Sequence, residues 1–367
     1  MTVAPSIKPI SYFDLDVFRQ EQELLFQRAW QFYGFRLEVD QHNDYLCRDI
    51  GGKSVIVQNF QGSLKAFLNV CSHRFCRIRE HESGSAPLMC PYHGWSYDGE
   101  GVPVGIPSPS LFQDISQSQR EMLSLEAWQI QCCGQFIFVR RGHDGDSLEQ
   151  FLGGTYDFLE EISGALGEKL DLNRYTIRSN WKIAVENSLE AYHVPLIHPD
   201  SFSRLGTSGC QFEFTGPHSS WVSNVSEQMR NKWRFAEKYY TSRTFRSDGY
   251  LHHLIFPNVT IVTLFGTTFS VQHFRPISPI ETECSSHVFS TKLTEPSISR
   301  AASAVIEGMN KASVEFNRVV FEEDRIICEL AQRGVEENPI GKGVLGDEEQ
   351  RVSEFQQAYT SAMTGEL

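Results

Sequence analysis

The chain has 367 residues, of which 40% are hydrophobic, and a formal net charge of −13. That length is too great for one hydrophobic core and predicts two domains. The acidity, without any basic stripe, argues against nucleic acid as a main partner. No run approaches the roughly 18 apolar residues that a membrane span needs, so no membrane partner is expected.

The cysteines also restrict the class of protein. There are nine of them, an odd number, spread from Cys47 to Cys328, and no apolar signal core follows a basic start. We therefore expect a cytoplasmic protein with reduced thiols. In such a protein, paired Cys and His residues favour metal binding over disulfides.

The residue pattern in the first part of the chain changes from helical to β-strand spacing. Residues 12–30 carry apolar residues at helical spacing and predict an N-terminal helix. From about residue 40, short β-rich runs separated by Gly-Gly and Gln-Gly turns predict hairpins. A small all-β domain is therefore expected over residues 41–142, and residues 1–40 are expected to pack on the larger domain.

The rest of the chain, residues 143–367, predicts a larger domain of helices and antiparallel strands. The stretch "GHDGDS" at 142–147 predicts a linker and is followed by a helical segment, and residues 180–193 predict a second helix. Residues 209–292 are rich in β-branched and aromatic residues and predict strands. A long helical pattern follows from Ser297 to Gly334. The fold class is α+β, with the small β domain inserted in the larger one.

Two short loops in the β domain carry metal-ligand residues. The first supplies Cys71 and His73, and the second supplies Cys90 and His93. A structural zinc site accepts two Cys and two His, but zinc fingers usually pair Cys with Cys and His with His. One Cys and one His per loop suit a two-iron cluster in which thiolates hold one iron and imidazoles hold the other.

The sequences of these loops, "CSHR" and "CPYHGWSYDGEG", resemble the Rieske [2Fe–2S] signature. Trp95 and Tyr97 are placed to shield the cluster from water. The first loop departs from the pattern, since Phe75 and Cys76 stand where the family usually has a small residue. We interpret Cys76 as buried packing without a role at the cluster.

A second site is predicted downstream in "NWKIAVENSLEAYHVPLIHPD". His193 and His198 are five residues apart and would diverge by about 140° on a continuous helix. Pro195 disfavours helix at Val194, so the chain can turn and bring His198 back toward His193. The pair alone is equally compatible with ordinary surface or core histidines. An electron carrier upstream favours an Fe(II) site with two His and one carboxylate.

The third ligand is expected in the long C-terminal helical pattern, which ends in "FEEDRIICELAQRG". Helical spacing places Phe316, Asn317, Val320 and Asp324 on one face. Asp324 is therefore the acid predicted to project inward. Glu322 and Glu323 are interpreted as solvated charge.

The whole layout resembles the α subunit of the Rieske non-haem iron oxygenases over nearly the full chain. The resemblance implies a larger catalytic domain of helix-grip, START-like form over residues 143–367. It maps the family's Asn-x-x-(Asp/Glu)-x-x-His-x-x-x-x-His pattern onto Asn187, Glu190, His193 and His198, and the helix acid onto Asp324. It implies that Glu190 is no ligand but bridges the Rieske histidine of a neighbouring subunit to the iron-ligating His193. Asn187 is expected near the iron.

The resemblance also implies the activity and the partners. A flavin-containing, NAD(P)H-dependent reductase, with or without a ferredoxin, would supply electrons, and O2 would be the cosubstrate at the mononuclear Fe(II). A homotrimer is implied, with or without a β subunit. "ENSLEAYH" and "EEDRIICELAQRG" resemble the branch that acts on carnitine, betaine and choline, which favours monooxygenation and oxidative N-demethylation.

Two alternatives remain open: a dioxygenase that cis-dihydroxylates aromatic rings, and a Rieske electron carrier without catalytic iron. A cationic substrate would need an aromatic cage, and an aromatic one would need an apolar slot. Either pocket would be lined by Phe202, Phe256, Phe316 and Val320.

Overall fold

The computed structural model describes residues 4–112, 115–142, 145–294 and 299–365. The chain divides into two compact units: Gln20–Phe151 forms the smaller one, and Met1–Arg19 together with Leu152–Leu367 forms the larger one. The smaller unit is thus inserted in the larger one, and the expected α+β class is confirmed.

The boundaries of the two units differ from those predicted. Residues 20–40 belong to the smaller unit, not to the larger one as expected, because the strand Gln31–Phe35 pairs antiparallel with Phe136–Arg140. The end of the predicted linker also belongs to the smaller unit, where the indole of Trp30 donates a hydrogen bond of 3.1 Å to the carbonyl of Asp146. The middle of that linker, residues 143–144, lies outside the described residues.

The smaller unit is built mainly of antiparallel strands. Its main sheet follows the order β1-β9-β8-β4-β3-β2-β5, and a small ribbon pairs β6 with β7. The elements are β1 (Gln31–Phe35), β2 (Asp44–Ile50), β3 (Lys53–Phe60), β4 (Ser63–Leu68), β5 (Ser83–Ser85), β6 (Ser96–Tyr97), β7 (Pro103–Gly105), β8 (Ala127–Cys133) and β9 (Phe136–Arg140), with the helix α2 (Gln117–Met122) between β7 and β8. The predicted N-terminal helix is the helix α1 (Leu15–Glu21), which continues as a π-helical turn over Gln22–Phe26.

The larger unit combines helices with an antiparallel sheet of order β10-β16-β15-β14-β13-β12-β11. Its strands are β10 (Leu166–Ile177), β11 (Ser208–Thr215), β12 (His218–Asn224), β13 (Tyr250–Ile255), β14 (Val259–Leu264), β15 (Thr268–Ser278) and β16 (Glu281–Thr291). The helices that follow α2 in the chain are α3 (Leu148–Leu152), which contains the sequence boundary between the two units, and, in the larger unit, α4 (Thr155–Ala165), α5 (Trp181–Ser188), α6 (Val194–Ile197), α7 (Glu227–Glu237), α8 (Arg300–Glu337) and α9 (Gln350–Thr364).

The long helix α8 is held on this sheet by polar contacts as well as by its apolar residues. The Asn317 amide donates to Ser270 Oγ at 3.0 Å and accepts from Ser286 Oγ at 2.9 Å. The Arg318 guanidinium forms a bidentate ion pair with the carboxylate of Asp171 on β10. These contacts fix the rotation of α8, so that residues one turn further along face the space above the sheet.

Three local predictions are wrong. The helix predicted over 180–193 ends at Ser188, and Val194 starts the short helix α6, although Pro195 was expected to prevent helix there. Pro195 is tolerated because it lies in the first turn, where a backbone N–H has no helical partner anyway. The strand-rich stretch 209–292 also contains helix α7, and α9 was not predicted at all.

Candidate metal centres and substrate cavity

The two Cys-His loops of the smaller unit have the same backbone design. The N–H of Cys71 donates to the carbonyl of Cys76 and the N–H of Cys90 donates to that of Trp95, each at 2.8 Å. In each loop, the residue four positions after the cysteine returns a hydrogen bond to the cysteine carbonyl. That residue has a positive φ, +73° at Gly94 and +60° at Phe75. Phe75 therefore occupies a left-handed position that favours glycine, which explains why a small residue is usual there.

The four candidate ligands differ in exposure: the two cysteines are buried, His73 is half-buried and His93 is exposed. Cys71 and Cys90 are each 1% exposed, and the rings of His73 and His93 lie 4.7 Å apart, centroid to centroid. Trp95 stacks on His73 at 4.7 Å, and the hydroxyl of Tyr97 lies 3.0 Å from Cys71 Sγ. Trp95 and Tyr97 thus contact His73 and Cys71, the two candidate ligands of the first loop, and their shielding of a cluster stays a prediction.

The chemistry of these residues fits a metal cluster. His73 Nδ1 is buried and has no hydrogen-bond partner among the described residues, so it is free to act as a ligand. Burial, with the charges of His93 and Arg74, lowers the pKa of His73 and keeps the ring in the neutral form that binds metal. Burial, followed by the nearness of Cys90, raises the pKa of the Cys71 thiol although Tyr97 lowers it. A bound metal cation would stabilise the thiolate and so favour its deprotonated form.

Cys76 is half-buried instead of buried as expected. Its thiol donates to the carbonyl of Arg77 at 3.3 Å. It packs at the edge of the apolar residues around Cys71 and Cys90.

In the larger unit, His193, His198 and Asp324 come together. His198 Nε2 lies 3.2 Å from His193 Nε2 and 3.0 Å from Asp324 Oδ1, and His193 Nε2 lies 3.6 Å from the same oxygen. The two histidines flank the single turn of α6, and Asp324 reaches them from α8. Three donor atoms within 4.8 Å of one another fit one metal ion, and two imidazoles with one carboxylate are the donor set that Fe(II) oxygenases use.

Two further side chains form hydrogen bonds with these candidate ligands. The Asn187 amide, at the end of α5, donates to Asp324 Oδ1 at 2.8 Å. Glu323 Oε2 lies 2.7 Å from His198 Nδ1 and also accepts from Ser201 Oγ. The interpretation of Glu323 as solvated charge is therefore wrong, because its carboxylate turns His198 Nε2 toward Asp324. Glu322 pairs with Arg325 at the surface, as expected of solvated charge.

The electrostatics of His198 reflect these carboxylates. Burial lowers the pKa of the His198 imidazole, but hydrogen bonds to Asp324 and Glu323 raise it by more, so the net shift is upward. A metal ion between His198 and Asp324 would replace the proton that this arrangement attracts.

Glu190 contacts His193 without sharing a helix with it, contrary to the prediction. Its Oε1 is hydrogen-bonded to His193 Nδ1, and its Oε2 accepts from the backbone N–H groups of Tyr192 and His193. The carboxylate thus holds a turn between α5 and α6. It reaches the outer nitrogen of His193, opposite the Nε2 that faces Asp324.

A cavity of about 350 Å³ opens beside the three candidate iron ligands. Its walls are mostly apolar, and Phe202, Phe316 and Val320 are among the residues that line it. Phe256 is not among the lining residues. Its ring packs against Phe355 of α9, 6.1 Å away, because it lies in the turn after β13.

The cavity also has polar wall residues that sequence reasoning missed. Ser270 and Gln272 on β15 are linked to Asn317, and His252 projects from β13. Sequence carries only a weak signal for them, because single polar residues in β-rich runs usually face solvent.

Comparison with known proteins agrees with the fold and identifies the two domain families. Residues 161–365 match the ring-hydroxylating α subunit (catalytic domain) family, and residues 29–116 match the Rieske [2Fe–2S] domain family. The chain therefore belongs to the ring-hydroxylating α-subunit family. The match confirms the Rieske cluster and the mononuclear iron as the cofactors expected from the sequence.

Relatives of different specificity are similar to this chain. It is 31% identical to the anthranilate 1,2-dioxygenase large subunit of Acinetobacter baylyi over 192 residues, 50% of this chain and 40% of the relative. It is 29% identical to the glycine betaine monooxygenase oxygenase subunit of Chromohalobacter salexigens, over 53% of this chain and 43% of the relative. The matched segments thus span less than half the length of these relatives.

Among solved structures, the quaternary ammonium Rieske monooxygenase CntA with L-carnitine aligns with a TM-score of 0.77 at 20% identity, covering 99% of this chain and 95% of CntA. This shows a shared fold. Across the described ranges of the larger and smaller units, no helix has the length and apolarity of a membrane span.

Proposed function

We propose that this chain is a terminal oxygenase component that hydroxylates a small organic substrate with O2. The observation that carries the proposal is the meeting of His193, His198 and Asp324 at the wall of an apolar cavity, in a chain that also carries a Rieske donor set. When bound, the mononuclear iron would activate O2 with electrons supplied by the cluster. An NAD(P)H-dependent flavin reductase, with or without a ferredoxin, is the proposed electron source.

The protein's own side chains have distinct tasks in this proposal. Asn187 and Glu323 hold Asp324 and His198 in place through hydrogen bonds of 2.8 and 2.7 Å. Glu190 holds the outer nitrogen of His193 and, in a proposed homotrimer, would accept a second hydrogen bond from a Rieske histidine of the neighbouring chain. The apolar walls limit the water around the reacting carbon.

Monooxygenation of a methylammonium compound is the first candidate reaction. Phe202, Tyr250 and Trp221 meet edge to face at centroid distances of 5.0 and 5.3 Å, and all three line the cavity. Such rings can surround a methylated cation. The glycine betaine monooxygenase relative supports the same choice.

Cis-dihydroxylation of an aromatic ring is the second candidate reaction. The same apolar walls form a slot that a flat ring can enter, and the anthranilate 1,2-dioxygenase relative favours it. We propose the cytoplasm as the location, because a reducing compartment would keep the nine cysteines of the chain as thiols.

Oxygen uptake would test the proposal. The iron-loaded protein, a reductase and NADH would be supplied with γ-butyrobetaine or benzoate, and the products would be identified by mass spectrometry. Formaldehyde or another cleavage product of γ-butyrobetaine would support monooxygenation, and a dihydrodiol would support ring oxidation. If about two irons per chain are bound and no O2 is consumed, the chain is an electron carrier and the proposal fails.

A further inference from the structure

One buried imidazole in the cavity wall has an unused hydrogen-bond donor. His252 is 2% exposed, and its Nδ1 lies 3.2 Å from both Nη1 and Nη2 of Arg351. A guanidinium can only donate, so Nδ1 is the acceptor and the ring proton lies on Nε2. Nε2 is buried and has no partner among the residues that the structure describes. Burial, the charge of Arg351 and His253 hold the pKa of His252 well below its ordinary value, so the ring is neutral.

Arg351 places a positive charge behind His252. It projects from α9, is 0% exposed, and donates otherwise to Ser219, at 3.0 Å to Oγ and 3.1 Å to the carbonyl. Within the described ranges, no carboxylate forms an ion pair with it. Burial lowers the pKa of Arg351 to about 9, which leaves it charged at neutral pH. A buried cation without a counter-charge is costly, and an anion in the cavity would offset that cost.

His252 and the candidate iron ligands belong to different walls of the cavity. His252 stands on β13, whereas His193 and His198 flank α6 and Asp324 stands on α8. A series of ring contacts joins the two walls: the ring centroids of His198 and Phe202 are 6.2 Å apart, those of Phe202 and Tyr250 5.0 Å, those of Tyr250 and Trp221 5.3 Å, and those of Trp221 and His252 6.4 Å. A donor on the β13 wall can bind a part of the substrate other than the carbon that reacts.

We propose that His252 is a specificity-determining residue whose Nε2–H binds a carboxylate of the substrate at the β13 wall of the cavity. Arg351 is a positioning residue that fixes the tautomer of His252 and makes that wall of the cavity positive. The inference rests on the proposed oxygenase function for the identity of the cavity. It narrows the substrate to small carboxylates with an apolar or methylated remainder near the iron ligands.

The test compares ligands that differ only in the carboxylate. Binding of γ-butyrobetaine and butyltrimethylammonium, and of benzoate and toluene, would be measured by calorimetry on the iron-loaded protein without reductant. The affinity ratio within each pair is internal to each variant, so partial loss of folded protein does not affect it. The variants are His252→Phe, His252→Gln and Arg351→Met. His253→Gln is the matched control, because His253 stacks on Phe158 and contacts Thr155 instead of lining the cavity.

The wild type and His253→Gln should bind the carboxylate of at least one pair about tenfold or more tightly than its partner, the effect of one hydrogen bond to a charged group. His252→Phe and Arg351→Met should lose that preference, and His252→Gln, which keeps an N–H donor, should retain part of it. Equal binding within both pairs by the wild type, or a preference that survives in His252→Phe, would overturn the inference. If the preference appears only with benzoate, the inference stands and the methylammonium activity fails.

Discussion

Glu323 and Asp324 are neighbours in sequence, and both contact the imidazole of His198. The two carboxylates reach opposite nitrogens of the ring, Nδ1 and Nε2. Removing the one on Nδ1 frees the ring to rotate. We therefore expect Glu323→Ala to weaken Fe(II) binding by about 10- to 100-fold, as the loss of such outer partners usually does. Fe(II) titration of the metal-free protein measures it, with Glu322→Ala as the control. An unchanged affinity for Fe(II) would show that Glu323 does not position His198 for metal binding.

Asp324 is the predicted carboxylate ligand of the mononuclear iron. Asp324→Ala should lower iron content from about three to about two per chain and abolish turnover, because the Rieske donors are untouched. Iron analysis and the visible spectrum of the cluster measure both outcomes. An iron content that stays at about three would exclude Asp324 as a necessary ligand.

Glu190 contacts the outer nitrogen of His193 and is predicted to bridge two metal centres. Glu190→Gln should keep both centres, because no ligand is lost. Electron transfer to the mononuclear iron should slow greatly, since an amide cannot accept from two imidazole donors as a carboxylate does. Rapid mixing of the reduced protein with O2 and substrate measures cluster reoxidation. Loss of the mononuclear iron would instead identify Glu190 as a ligand.

At the scale of single residues, sequence predicts side chains of metal-binding type that recur at a defined spacing. It misses residues whose role depends on neighbours that only the fold brings together. The Cys-His loops and the His193, His198 and Asp324 set follow from ligand type and spacing. Glu323 resembles any surface acid until the fold places His198 beside it. His252 likewise acquires its character only from Arg351, 99 residues further along the chain.

At the scale of elements, the carboxylate of Glu186 joins the N-terminal segment to α5 and α9. Glu186 accepts from Tyr12 Oη at 2.8 Å and from the Gln356 amide at 3.0 Å. Burial raises the pKa of Glu186 to about 7, although Tyr12, Gln356 and Lys182 lower it. The native state therefore binds this proton more tightly than the unfolded chain does.

This carboxyl makes stability depend on pH in a defined direction. Its contribution is fully present below the unfolded pKa of about 4.3 and is lost as pH rises through about 7. The free energy of unfolding of the wild type relative to Glu186→Gln should fall by about 3 kcal/mol over this window. Urea denaturation of both proteins from pH 4.5 to 8 measures the difference. A difference independent of pH would show that Glu186 is ionised throughout.

Elements with one strong periodic pattern are predicted well, and short or context-dependent ones are not. The helix α8 spans 38 residues with a clear apolar stripe, and its predicted limits are close to those observed. The four-residue helix α6 is too short for any periodicity. Its Pro195 argues against a helix in sequence terms, yet tertiary contacts of His193 and His198 hold the turn in place.

At the scale of the whole molecule, the proposed homotrimer predicts that two inactive variants restore each other. Cys71→Ser should lack the cluster and Asp324→Ala should lack the mononuclear iron. Mixed oligomers, co-expressed with two different tags and purified through both, should regain activity if electrons pass between chains. Separately purified variants mixed without exchange are the control. Mixed oligomers that stay inactive would place electron transfer within one chain.

The contacts of α9 with the start of the chain determine the order in which the protein can be completed during its synthesis. The Gln356 side chain accepts from the backbone of Ser6, 350 residues earlier, and donates to Glu186. At usual elongation rates, roughly 20 to 70 s separate the translation of these two residues. The inserted unit, Gln20–Phe151, has left the ribosome well before then. The residues around Ser6 therefore remain without this hydrogen-bond partner until α9 has been synthesised.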